Sequence, residues 1–286
     1  MQQGLKRRYY NHAIIPTTAP HERVDESPLK SGEIWRSPKG YPLLARWTTD
    51  FDCQESKEWW YMIKDKPFDI MKVKKNYRRK IRKGLENFNI RVIDPMQYID
   101  ELYQVEAEAI ASYPAKTRPK MDYKQFVAKL SNSREGVTLA AFSKEDNRIA
   151  GYSYDIVCDG YILGSLQKAK PSQEIKHLNA ALMYGELDYF RKELADGIYI
   201  MTGERSILHQ TNFQEYQEKY FGFRKAYCKL HILYRPGVKP IVDCLYRMRG
   251  LLKFLNGIKL FFKIYCVLKM EEIVRRQREN PPDERD

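Results

Sequence analysis

The sequence predicts an α+β fold: a mixed, mostly antiparallel sheet with flanking helices, extended at the C-terminus by an amphipathic helical segment. Two observations carry this. Residues 161–235 change periodicity in the order strand–helix–strand–helix–strand, which in so short a stretch means helices packed on a sheet. Just before, Val137–Phe142, Arg148–Cys158 and Tyr161–Ala169 read as three consecutive strands. They are joined by Glu145-Asp146-Asn147 and Asp159-Gly160, turn chemistry that makes them antiparallel neighbours.

Taken in order, residues 1–40 are rich in Pro, Lys, Arg and Ser and read as irregular cover with a short strand near Gly32–Arg36. Tyr41–Asp50 is a strand, and the Trp-rich Lys57–Ile63 reads as a helix. Met71–Leu85 is a helix with Val73, Tyr77, Ile81 and Leu85 on a narrow apolar stripe; Lys72, Lys74, Lys75, Arg78, Arg79, Lys80, Arg82 and Lys83 cover the rest. Asn89–Asp94 is a strand. Asp94-Pro95 opens a helix through Ser112 whose apolar stripe includes Glu106, either a base of raised pKa or an edge residue reaching water. Tyr123–Leu130 is a second helix. After Tyr161–Ala169, Leu178, Ala181, Leu182, Gly185 and Tyr189 share one helix face, and Gly197 precedes the short strand Ile198–Met201. Phe213–Phe221 is a helix closed by Gly222, and Ala226–Tyr234 a final strand closed by Pro236. Beyond it, Pro240–Arg249 reads as a basic helix. In residues 251–268 the lysines Lys253, Lys259 and Lys263 cluster opposite Leu252, Phe254, Leu255, Ile258, Phe261, Phe262 and Tyr265. That segment suits a helix lying in a membrane interface, or one packed on protein. The tail from Glu271 is expected to fray.

Composition bounds the function. At 286 residues, 43% hydrophobic, the chain can bury a sizeable core, and its net charge of +13 points to anionic partners. The five cysteines and five histidines show no metal-ligand spacing, so no metal is expected and a reducing compartment fits the thiols. Residues 1–20 lack the apolar run of a secretory signal; the expected location is the cytoplasm, with peripheral contact at the inner face of the plasma membrane. No Walker loop, Rossmann fingerprint or nucleophile elbow is present.

Asn212 opening a helix after a strand, the helix ending Glu218-Lys219-Tyr220-Phe221-Gly222-Phe223, and the strand–two helices–three strands–helix–strand–helix–strand order together resemble the GNAT acyltransferase fold. With the basic core Arg78-Arg79-Lys80-Ile81-Arg82-Lys83 just before a strand, the pattern is most similar to the Fem-type peptidoglycan bridge aminoacyltransferases, which are built from GNAT-like domains. The resemblance implies three segments: 1–71, a cover or partial first GNAT-like lobe; 72–235, a GNAT-like core with its leading basic helix; and 236–286, a helical extension with a charged tail.

The resemblance also implies acyl transfer to an amino group of a cell-envelope precursor, peptidoglycan or lipid-linked glycan, with acyl-CoA or aminoacyl-tRNA as donor. GNAT enzymes that use acetyl-CoA hold its pyrophosphate on a glycine-rich turn before the central helix. Here that turn, Lys168–Asn179, has no glycine, which argues against CoA; Fem-type enzymes lack the signature too. Gln167, Lys168, Lys170, His177, Asn179 and Asn212, with Arg78, Arg79 and Arg82, are the candidate donor- or substrate-binding residues. Glu204, with His209 just beyond it, is the candidate base for the ammonium, and Tyr216 and Tyr220 are candidate proton donors to the leaving group. The basic helix is either a solvated face or an anion clamp for tRNA, a phosphate or a membrane surface. The alternative function is a non-catalytic basic binding module on a decayed GNAT fold. The two readings differ in whether the fourth and fifth core strands open into a V.

Overall fold

The computed structural model describes residues 7–36, 39–113, 118–131, 136–207, 212–252 and 259–279. In chain order the elements are β1 (Arg7–Tyr10), β2 (Ala13–Pro16), α1 (Ser27–Ser31), β3 (Leu44–Cys53), β4 (Trp59–Lys64), α2 (Lys75–Asn87), β5 (Phe88–Ile93), α3 (Ile99–Ala111) and α4 (Tyr123–Ser131). They continue with β6 (Gly136–Ser143), β7 (Ile149–Val157), β8 (Tyr161–Ala169), α5 (Leu178–Tyr189), α6 (Arg191–Ala195), β9 (Tyr199–Glu204), α7 (Phe213–Phe221), β10 (Arg224–Tyr234), α8 (Val238–Arg247), α9 (Arg249–Leu252) and α10 (Lys259–Glu279).

The chain forms two compact units that interleave along the sequence. One comprises Met1–Tyr61, Glu204–Thr211 and Lys225–Asp286, the other Met62–Gly203 and Asn212–Arg224. In the second unit the strand order is β4-β9-β8-β7-β6-β5. β5 to β8 pair antiparallel in sequence, and β8 pairs parallel with β9. Each face of this sheet carries its own core. Leu102 and Val105 of α3 and Phe126 and Leu130 of α4 pack on Ala140, Phe142, Ile149 and Tyr152. On the other face Leu178, Ala181 and Leu182 of α5 pack on Phe88, Ala141 and Ala150. Of the predicted α5 stripe, Leu178, Ala181 and Leu182 are buried, Gly185 is half-buried and Tyr189 is exposed, while Ala180, Met183, Glu186 and Leu187 off the stripe are buried as well.

The first unit contains β1-β2-β3-β10 in that order. Residues 7–16 are not irregular: β1 and β2 form a hairpin whose two-residue turn, Asn11-His12, has positive φ at both positions, as a hairpin with right-handed strand twist requires. Gly32–Arg36 is not a strand either. Gly32 takes the left-handed conformation that ends α1, and a 3-10 turn, Glu33–Trp35, follows. Lys57–Ile63 is strand β4, not a helix, and its aromatic and aliphatic side chains are buried on both faces as in a central strand. The tail beyond Glu271 does not fray at once, since α10 continues to Glu279 with Glu271, Ile273 and Val274 buried.

Of the segment 251–268, residues 253–258 lie outside the described residues. In the rest, Phe261, Ile264, Val267 and Leu268 pack with Leu44, Tyr234 and Val242, and Lys263 faces water. No helix among the described residues is long and apolar enough to cross a membrane.

Candidate functional site

β8 and β9 pair only at Tyr161↔Tyr199, Ile162↔Ile200 and Leu163↔Met201. Past Leu163 and Met201 they part, β8 running on to Ala169 against β7. A fork therefore opens in the sheet beside Gly164 and Thr202. A methyl group at Gly164 would lie 3.0 Å from Thr202 Cγ2 and 3.6 Å from Asp155 Oδ1, so a larger residue here requires the Thr202 side chain to give way. Thr202 Oγ1 donates to Gln217 Oε1 of α7 at 2.9 Å, which leaves the buried Gln217 Nε2 without a partner among the described residues. Gln167 Oε1 and Gln173 Oε1 are likewise buried and unpartnered among the described residues, and the buried Tyr216 hydroxyl lies beside the Tyr77 hydroxyl. Other buried atoms without a partner occur elsewhere in the chain, among them Thr18 Oγ1, Thr138 Oγ1 and Gln277 Nε2, so those on the bordering elements are candidate donors and acceptors for a polar ligand only together with the parting of the strands.

The aromatic wall comes from α2 and α7. Tyr77 stacks on Tyr220 with ring centroids 3.8 Å apart and meets Tyr216 edge-on at 5.9 Å. Burial, then the neighbouring Tyr77 hydroxyl, pushes the Tyr216 phenol above its ordinary value, so it keeps its proton and is available as a donor. Burial also raises Tyr77.

The turn before α5 is a 3-10 helix, Pro171–Lys176, followed by His177 in the left-handed conformation at the helix start. Glu174 folds back onto the N-terminus of α5. Its Oε2 accepts from the Asn179 backbone N–H at 3.2 Å and from Asn179 Nδ2 at 2.6 Å. Asn179 Oδ1 in turn accepts from Gln167 Nε2 at 3.2 Å. A carboxylate thus takes the position at which a helix N-terminus would hold a phosphate. Burial, then Lys80, lowers the pKa of His177, with Lys83 and Arg79 adding to the effect, which favours the neutral imidazole.

The residues expected from sequence are partly united. Gln167, His177 and Asn179 come together on the α5 turn, with Arg79 within electrostatic reach. Lys168 instead donates to the Tyr113 hydroxyl at 2.8 Å and Lys170 pairs with Glu108 at 3.6 Å. Arg78 and Arg82 lie away from His177, lining with Lys75, Asn76 and Arg79 a cavity of about 710 Å³. Asn212 is exposed at the start of α7 and its side chain makes no cap. Glu204 belongs to the first unit, where its carboxylate accepts from Arg46, and His209 lies outside the described residues. Glu106 is no unpaired base, because its Oε2 accepts from the buried Tyr152 hydroxyl at 2.9 Å.

Sequence reasoning missed Thr202, Gln217, Glu174 and two buried acids, Asp155 and Glu186, which are 1% and 3% exposed. Only Glu186 carried a signal: with Leu178 and Leu182 it continues the four-residue spacing of the apolar face.

No protein-family model matches the chain, and no curated protein matches it in sequence. Solved structures do. The chain is similar to L-PGS from Bacillus licheniformis (14% identity, TM-score 0.50, covering 85% of this chain and 84% of that one) and to FemX (8% identity, TM-score 0.51, 81% and 82%). A tandem GNAT protein from the clavulanic acid biosynthesis pathway aligns less closely (9% identity, TM-score 0.42, 78% and 75%). The fold is the GNAT arrangement, as in FemX and L-PGS, with helices on a mostly antiparallel sheet that forks between two parallel strands.

Proposed function

We propose that the protein is an acyltransferase, and more narrowly an aminoacyltransferase, acting on an amino group of a cell-envelope precursor, peptidoglycan or a lipid-linked glycan. The observation that carries the proposal is the fork between β8 and β9, bordered by buried polar groups without partners. Likeness to FemX and to L-PGS supports the aminoacyl reading. So does Glu174: its carboxylate on the α5 N-terminus excludes a pyrophosphate there by charge and by occupancy, which disfavours CoA.

In this reading a neutral amine attacks the acyl carbon, and as the C–N bond forms and the ester C–O bond breaks the Tyr216 hydroxyl gives its proton to the leaving oxygen and takes up the one the amine sheds. The amide of Gln217 and the pair Gln167–Asn179 orient the donor. Glu204, expected from sequence as the base, is already engaged by Arg46, and we give it no proton transfer.

Calorimetry and thermal shift with acetyl-CoA and with aminoacyl-tRNA test the donor. The expected result is no acetyl-CoA binding at micromolar concentration and stabilisation by charged tRNA; micromolar acetyl-CoA binding would return the protein to the ordinary N-acetyltransferases. Transfer of a labelled acyl group to an amine acceptor should fall about 10²-fold in Tyr216→Phe. Folded protein that transfers from neither donor would refute the enzymatic reading.

A further inference from the structure

Two strongly exposed apolar side chains flank the basic helix α2. Met71, 65% exposed, lies in the 3-10 turn just before it, and Arg78 Nη1 is 3.1 Å from its sulfur. Ile175, 85% exposed, lies in the 3-10 turn 171–176, which packs on α2. At the end of that turn a methyl group on Gly84 would stand 2.6 Å from the His177 carbonyl oxygen. With about 3.6 residues per turn, the buried Tyr77, Ile81 and Gly84 set the inward face of α2. Arg78 then lies on the Met71 flank and Lys80 and Lys83 on the Ile175 flank, while Lys75, Arg79 and Arg82 point outward. Among the described residues none of the cations between Lys72 and Lys83 forms an ion pair, and the first turn of α2 holds no acid.

A cationic face with an apolar tip at either side is what binding at a bilayer interface requires. The tips enter the boundary between headgroups and acyl chains, and the cations meet lipid phosphates. The open groove along α2 among Lys75, Asn76, Arg78, Arg79 and Arg82 presents cations where a phosphate headgroup can meet them. A nucleic-acid backbone would use the charge but give Ile175 and Met71 nothing to contact. We propose that the outward face of α2, bracketed by Met71 and Ile175, docks on an anionic lipid bilayer. The proposal goes beyond the acyl-transfer reading, which would stand without it, and concerns a surface separate from residues 251–268.

Co-sedimentation of the full chain with vesicles tests it, using phosphatidylcholine alone or phosphatidylcholine with phosphatidylglycerol. Wild-type protein should pellet with the anionic vesicles only, and less at high salt. The pair Met71→Glu and Ile175→Glu, and separately the pair Arg79→Glu and Arg82→Glu, should each weaken binding at least about tenfold at unchanged unfolding temperature. If either Glu pair unfolds the protein, Met71→Ser with Ile175→Ser, or Arg79→Gln with Arg82→Gln, replaces it. Equal binding by wild type and variants, or binding of uncharged tRNA without binding of vesicles, overturns the proposal. Transfer to a water-soluble acceptor, measured in parallel, separates the two readings: transfer without vesicle binding removes the docking surface alone, and vesicle binding without transfer removes the enzyme alone.

Discussion

Replacing Glu186 with glutamine should make the protein more stable at alkaline pH while changing it little at acid pH. Glu186 faces the sheet from α5 and Asp155 faces it from β7, both almost fully buried. Burial raises the Asp155 carboxyl to about 7 despite a hydrogen bond from Ser153, and burial, then the charge of Asp155, pushes Glu186 well above its ordinary value. Between about pH 4 and 7 the folded state therefore binds more protons than the unfolded chain, and stability falls as pH rises. Burial is what raises Asp155, and it persists in the variant; glutamine instead removes the ionisation of Glu186 itself, which burial and the charge of Asp155 both oppose, so the gain at alkaline pH should be on the order of 2 kcal/mol. Urea unfolding of wild type and Glu186→Gln at pH 5 and pH 8 isolates the pair, because other titrations cancel in the difference. A difference equal at the two pH values, or a variant that loses stability at pH 8, would refute shared protonation.

Two further outcomes concern packing and the first unit. Glu271, 2% exposed, accepts from Tyr234 Oη at 2.8 Å, Lys239 Nζ at 2.7 Å and Arg275 Nε at 2.8 Å. Burial alone would raise its pKa, but these donors outweigh it and the net shift is downward. Glu271→Ala should cost about 3–5 kcal/mol at neutral pH, a gap that narrows as pH falls below the carboxylate range, read by chemical unfolding at pH 7 and pH 3. Gly84→Ala gains up to about 1 kcal/mol of helix propensity, but its methyl would meet the His177 carbonyl at 2.6 Å and Ala181 Cβ at 3.0 Å. A net loss of about 1–3 kcal/mol in thermal unfolding is expected, and a more stable variant would show that α2 is not clamped on α5.

Most of the second unit was legible because its elements obey simple periodicities. The bounds of β8 and α7 match those read from sequence, and the face residues named for α5 lie within its observed bounds. The misreadings fall where tertiary context overrides pattern. β4 is buried on both faces, so its Trp-rich run lacks the alternation that distinguishes a strand from a short helix. The stripe of α2 was read through Leu85, but Gly84 is the buried residue, because close approach to α5 needs the smallest side chain rather than an apolar one. The end of α10 was hidden by Glu271, a charge on a buried face that makes sense only once Tyr234, Lys239 and Arg275 are beside it. The site was harder still. Its unpaired amides are ordinary residue types, and their lack of partners is a property of three-dimensional placement that no spacing records.

The sequence did show that the turn before α5 has no glycine; the structure shows what that does. A glycine turn exposes backbone N–H groups for a phosphate to occupy. Residues 171–176 form a 3-10 helix instead, and Glu174 closes on the Asn179 N–H. The strongest fixed electrostatic contact available to a CoA-like donor is therefore spent inside the protein. A donor bound at this fork has to draw its affinity from side chains: the amides of Gln167, Asn179 and Gln217 and the stacked pair Tyr77–Tyr220. Such contacts favour an acyl group that carries hydrogen-bonding atoms of its own over a plain acetyl, because each unsatisfied buried amide costs about 1–3 kcal/mol until a ligand pairs with it. An acetyl offers only its carbonyl oxygen, an acceptor suited to Gln217 Nε2, whereas an aminoacyl group adds an ammonium donor suited to Gln167 Oε1, and on the proposed acyl-transfer reading this second unpaired amide favours the aminoacyl donor.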